Sequence, residues 1–121
     1  MPIELTKNIT IDGREFQVGR VPANVGQWIV VQIDRFSDEA VFNKARNYLF
    51  NACSYIKQVD GAPVPMKMYH DGKWLLPDLE YDLETVSALF REAFDFNFGP
   101  FLKRRLEEME AESSREQAIN L

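Results

Sequence analysis

Among 121 residues there is one cysteine and one histidine, and these two scarcities exclude a good deal of chemistry. A lone Cys53 has no partner for a disulfide within the chain, which fits a reducing compartment. One histidine and one cysteine cannot assemble a transition-metal site of the His/Cys kind. General acid–base work needs positioned partners; His70 stands beside Asp71-Gly72 and reads as a turn-flanking polar residue. The glycine-rich phosphate and dinucleotide loops are missing, and so is the strained serine turn of hydrolases. Basic charge is short: 14 Lys and Arg against 19 Asp and Glu leave a net charge of -5, which argues against a protein that neutralises phosphates. The local cluster Lys103-Arg104-Arg105 is followed by Glu107, Glu108, Glu110 and Glu112, as on a salt-bridged helix face. Asp78, Glu80, Asp82 and Glu84 lack the glycine and spacing of an EF-hand loop. Long apolar runs are also absent: Trp28-Ile29-Val30-Val31 is far too short to span a bilayer. The opening Met-Pro-Ile-Glu-Leu-Thr-Lys has no signal-peptide pattern. The expectation is a soluble cytoplasmic non-enzyme with no catalytic, cofactor or metal site, and with neither nucleic acid nor membrane as partner.

What is present is apolar: 45% hydrophobic residues and 9 Phe, enough to fold residues 1–121 as one domain. Residues 8–20 carry a hairpin signal. Asp12-Gly13 can take the positive φ angles of a two-residue type I′ turn. Ile11 then faces Arg14, Thr10 faces Glu15, Ile9 faces Phe16 and Asn8 faces Gln17. Ile9, Ile11, Phe16 and Val18 share one face, which needs a cover.

Residues 24–109 read as mainly helical. Asn24 is a candidate N-cap for a helix with Val25, Trp28, Ile29, Gln32, Ile33 and Phe36 at helical spacing. Ser37 is a candidate cap for a second helix, whose stripe is Val41, Ala45, Tyr48, Leu49, Ala52, Cys53 and Ile56. Residues 58–81 interrupt the pattern with Asp60-Gly61, Pro63 and Pro65. Within them, Asp71-Gly72 suggests either a second hairpin, pairing Tyr69 with Trp74 and Met68 with Leu75, or a long excursion with little regular structure. Asp82 is a candidate cap for a third helix carrying Leu83, Val86, Leu89, Phe90, Ala93 and Phe94. Gly99-Pro100 is expected to end it, and a last helix to start near Pro100 with Phe101, Leu102, Leu106 and Met109. Residues 110–121 are polar and expected to project or fray. The predicted fold is α+β, an N-terminal β-hairpin packed on a bundle of about four helices.

Aromatics supply the one concentrated signal. Phe94, Phe96, Phe98 and Phe101 crowd one helix junction, and Trp28 raises the same question with less focus. They are either a packed helix–helix corner or an exposed patch that meets another chain. The candidate protein-binding residues are therefore Phe94, Phe96, Phe98, Phe101 and Trp28.

The run from Ile9 to Ala23, with its Asp12-Gly13-Arg14 turn and its Arg20-Val21-Pro22-Ala23 helix entry, resembles the start of the tail assembly chaperones of long-tailed, lambda-like bacteriophages and prophages. Length, acidity and the Asn97-Phe98-Gly99 segment before a charged helical end are compatible with that family. The resemblance implies a non-enzymatic chaperone that coats the tape measure protein in the host cytoplasm and is absent from the finished virion. It also implies a longer, frameshifted form that recruits the tail tube protein. Coating a long client favours weak homo-oligomers, because neighbours raise each other's apparent affinity. Two rival readings are a structural phage component, such as a tail-completion or head–tail joining protein, and a small cytosolic enzyme or regulatory binding module.

Overall fold

The computed structural model describes residues 4–119, with the side chains beyond Arg104 described only at residues 107, 108 and 111. The expected contribution of Leu106 and Met109 to a stripe thus lies outside the described residues. The fold is α+β. Strands β1 (Thr6–Ile11), β2 (Arg14–Gly19), β3 (Ser54–Val59) and β4 (Ala62–Lys67) form one antiparallel sheet in the order β1-β2-β3-β4. A two-stranded sheet pairs β5 (Tyr69–His70) with β6 (Lys73–Trp74). Around them lie α1 (Ala23–Gln32, followed by a 3₁₀ turn), α2 (Glu39–Asn51), the short α3 (Pro77–Glu80) and the long α4 (Leu83–Ile119).

The first hairpin has the predicted register, Ile9 opposite Phe16 and Ile11 opposite Arg14. Asp12 and Gly13 take φ of 51° and 78°, as a type I′ turn demands. Phe16 and Val18 are buried and Ile9 and Ile11 pack beside them. Three Asp-Gly pairs turn the chain in this way: Asp60-Gly61 joins β3 to β4 and Asp71-Gly72 joins β5 to β6, all six residues at positive φ.

The helical stripe predicted through Ile56 stops sooner. α2 ends at Asn51, and Ser54–Val59 is a strand. Ala52, Cys53 and Ile56 fit a helical period, but Tyr55, Ile56 and Val59 are also good strand formers, and pairing with β2 and β4 decides the matter. Cys53 is buried at the junction, its Sγ donating to the Leu49 carbonyl at 3.3 Å. Gly19 lies against this junction: a Cβ there would come within 2.3 Å of the Ala52 carbonyl oxygen.

Residues 58–81 are more ordered than the alternative of an irregular excursion allowed. Tyr69 pairs with Trp74, and the Leu75 N–H donates to the Met68 carbonyl at 2.8 Å. Tyr69 and Trp74 close an aromatic triangle on Phe50, with centroid separations of 5.5, 5.2 and 5.0 Å. The buried Tyr69 hydroxyl donates to Asn47 Oδ1, and burial raises its pKa while Arg46 pulls it back. Met68 and Leu79 complete this side of the core.

Two helix starts differ from expectation. Pro22, not Asn24, precedes α1, and its carbonyl accepts the Gly26 N–H at 2.9 Å. Asp38, not Ser37, caps α2 by accepting from the N–H groups of Ala40 and Val41. A carboxylate there also meets the positive end of the helix dipole. Asp82 caps α4 as predicted, accepting the Thr85 N–H at 3.1 Å and hydroxyl at 2.8 Å. Those two bonds hold its carboxyl below the usual range.

The largest correction is at Gly99-Pro100, where α4 continues. Residues 110–119 are helical too. A proline inside a helix removes one N–H and orphans the carbonyl four residues earlier, here that of Phe96. Arg20 supplies the missing donor: its Nη1 donates to the Phe96 carbonyl at 2.8 Å. The helix therefore survives its proline through a contact with the end of the first hairpin.

Candidate protein-binding groove between α1 and α4

That contact belongs to a larger join. The Asn97 amide donates to the carbonyls of Gly19 (3.0 Å) and Ala93 (2.9 Å), and its Oδ1 accepts the Val21 N–H at 3.0 Å. The Arg20 guanidinium also lies 4.3 Å over the Phe96 ring, and its Nε donates to the Glu4 carbonyl. Three of these bonds, Arg20 to the Phe96 carbonyl, Asn97 to the Gly19 carbonyl and the Val21 N–H to Asn97, together with the cation–π contact fix the exit of β2, and with it the start of α1, against one turn of α4. Because the groups are half-buried, each bond left unmade would cost more than an average hydrogen bond contributes.

Fixing α1 to α4 there leaves a trough between them of about 620 Å³, lined by Gly26, Gln27, Val30, Val31, Asn97, Phe98 and Phe101. Phe98 is the floor, only 4% exposed, and Val31 and Phe101 are the rims, 72% and 50% exposed. Gly26 presents no side chain over the floor. A Cβ there would touch the Phe98 ring at 3.6 Å and raise it.

The five aromatics singled out from the sequence are thus divided among four places. Phe98 and Phe101 meet in the groove. Phe94 is half-buried, stacked on Phe90 and edge-on to Phe98 and Phe36, so it props the floor from beneath. Phe96 lies under Arg20. Trp28 is on another side of α1, edge-on to Tyr48 with the Lys44 ammonium 4.7 Å above its ring. Phe94 and Phe98 are packed inside the corner, whereas Phe101, with Val31, is exposed. Val31 was absent from the predicted patch. Its signal was there: an apolar residue off the stripe of α1, adjoining the run Trp28-Ile29-Val30.

Nothing in the trough titrates, since its polar lining is two amides, Gln27 and Asn97. It can hold apolar surface and offer hydrogen bonds. A second cleft of about 350 Å³ opens where β2 and β3 diverge, between Glu15, Phe16, Tyr55, Ile56 and Leu76. Those strands are paired only at Phe16–Tyr55 and Gln17–Ser54. Among the described residues no three His, Cys, Asp or Glu side chains gather into a metal-holding group. No helix among them is long and apolar enough to cross a membrane. Compared with models of known protein families, with curated proteins and with solved structures, the chain matches none.

Proposed function

We propose that this chain is a non-enzymatic tail assembly chaperone, which holds apolar helical segments of a tape measure protein in the α1–α4 groove and keeps that protein soluble while a phage tail is built. The observation that carries the reading is the groove itself, with its apolar floor and two exposed apolar rims. A trough between two helices suits an amphipathic client helix, whose anchors at i, i+3 and i+4 would lie along it. The acidic balance of the chain, net -5, would keep a coated client in solution.

The resemblance supports the same reading from another direction. Its two segments, Ile9 to Ala23 and Asn97 to Gly99, lie far apart in sequence and meet at the Arg20–Asn97 join. Asn97 both makes that join and lines the groove. In this reading the chain acts in the host cytoplasm, is absent from the virion, and a longer frameshifted form recruits the tail tube protein.

The test is co-expression with the longest helical open reading frame encoded just downstream, followed by size exclusion with light scattering. The long protein should become soluble only with this chain, in a complex holding many copies of it. A Val31→Asp/Phe101→Asp variant, changed only at exposed rims, should fold normally and leave the long protein insoluble. If the wild-type chain also leaves it insoluble, the reading fails. Recovery of the chain from purified virions would then favour a structural component.

A further inference from the structure

The two outer edges of the four-stranded sheet are built differently. In an antiparallel hairpin, paired residues alternate between those bonded to each other and those whose N–H and C=O point away from the partner strand. The pair flanking a two-residue turn is bonded, so Val59–Ala62 is bonded and Gln58–Pro63 and Ile56–Pro65 are not. Pro63 and Pro65 therefore stand where an N–H would have pointed outward from β4, and that edge cannot accept another strand in full.

The edge of β1 has no such guard. Counting from Ile11–Arg14, its outward residues are Thr6, Asn8 and Thr10. The Arg20 N–H bonded to the Leu5 carbonyl at 3.0 Å fixes this parity independently. All three residues are exposed, and none has a strand partner on its outer side among the described residues.

We propose that β1 pairs antiparallel with β1 of a second copy, about a two-fold axis at Asn8, joining two four-stranded sheets into one continuous sheet. The strand's own sequence selects both occupant and register. An axis at Lys7 would set ammonium against ammonium. An axis at Ile9 would set Thr6 against the turn residue Asp12 and leave it unpaired. The axis at Asn8 uses every outward group: Asn8 meets Asn8, and Thr6 meets Thr10 on both sides of it. On the inner face it sets Leu5, 70% exposed, opposite Ile11, and Lys7 opposite Ile9, with no like charges facing within the strand. Cross-strand Thr–Thr and apolar pairs of this kind stabilise a sheet. Such a two-fold contact is self-complementary and closes on itself. It names the surface for the self-association that the chaperone reading invokes, and its test needs no client, so the two readings fail separately.

Sedimentation over a wide concentration range tests it. The wild-type mean mass should rise from one chain toward two. Asn8→Pro, which copies onto β1 the device of Pro63 and Pro65, should weaken association by about tenfold or more, since the axis loses both of its central bonds. Its circular dichroism should not change. Should that variant fail to fold, cysteine placement decides. Asn8→Cys would face itself at about 5.5 Å between Cα atoms, within disulfide reach, and should crosslink on mild oxidation, whereas Lys7→Cys should not. A wild-type protein that stays monomeric throughout, an Asn8→Pro variant that associates as well as wild type, or equal crosslinking at both positions overturns the proposal.

Discussion

Two hairpins of the same construction have different fates in this molecule. β1–β2 and β3–β4 each consist of two six-residue strands joined by Asp-Gly at positive φ. The first lays Phe16 and Val18 into the core and is bound at its exit to α4 through Arg20 and Asn97. The second has no fully buried residue and leaves Val59 and Met66 exposed. Turn chemistry and alternation thus make a hairpin, but they do not place it. Placement comes from what its end is tied to. The first is tied by side chains far away in sequence, whereas the second pairs with the rest of the sheet only along β2 at its base.

Unfolding experiments should show this contrast most strongly at positions in register on one face of the sheet, Phe16 and Met66 on either side of Tyr55. Phe16→Ala should cost about 3–5 kcal/mol, and Met66→Ala well under about 1 kcal/mol, by denaturant titration. Similar losses at both would mean that the second hairpin packs as closely as the first. Next in size is the tie itself. Asn97→Ala leaves the Val21 N–H and the Gly19 carbonyl without their partner and should cost about 2 kcal/mol. Its deficit should appear as faster hydrogen exchange in both β2 and α4, and exchange confined to α4 would show that the hairpin is held by other means.

The turns give a finer comparison. Gly13 and Gly61 have φ of 78° and 80° and open space around them, so alanine at either meets only backbone strain, about 1 kcal/mol. Gly13→Ala should lower global stability by that amount. Gly61→Ala should instead loosen β3–β4 locally, visible in hydrogen exchange and little in the melting transition. The smallest effect at neutral pH lies where the hairpins meet. Burial pushes the Cys53 thiol up to about 12, with only a small opposing effect from the Gly19 backbone. The folded state thus holds that proton more tightly than the unfolded chain, whose thiol titrates near 9.0. Its contribution is fully present below pH 9 and declines as pH rises from there toward 12. A thiol reagent at pH 8 should react at the rate of unfolding, and rapid labelling of the native protein would refute the sealed junction.

How far the sequence could be read follows from which signals were local. The first hairpin's register and the Asp82 cap were legible, because Asp-Gly, alternation and a capping carboxylate act on their immediate neighbours. The Tyr69–Trp74 pair was legible for the same reason. The Asp60-Gly61 hairpin was hidden by Pro63 and Pro65, which argue against a strand unless it lies at an edge with those N–H positions facing out. That is a property of sheet order, not of the segment. The α2–β3 boundary was hidden because Ala52, Cys53 and Ile56 satisfy a helical period. Of the groove, Phe98 and Phe101 were found by composition alone. Val31 was not, because its importance comes from the angle at which α1 lies against α4, and contacts 76 residues apart in sequence set that angle.

Arg20 and Pro100 make the long helix a conditional structure. A helix normally carries its own hydrogen bonds, and its two halves lend each other cooperativity through them. Here the ladder has a missing rung at Phe96, and the replacement comes from a residue 76 positions earlier in the chain. The helical state of the residues beyond Pro100 is therefore a report on the docking of the first hairpin. Excised from the chain, residues 83–119 would carry a break at the proline that the intact protein mends from outside.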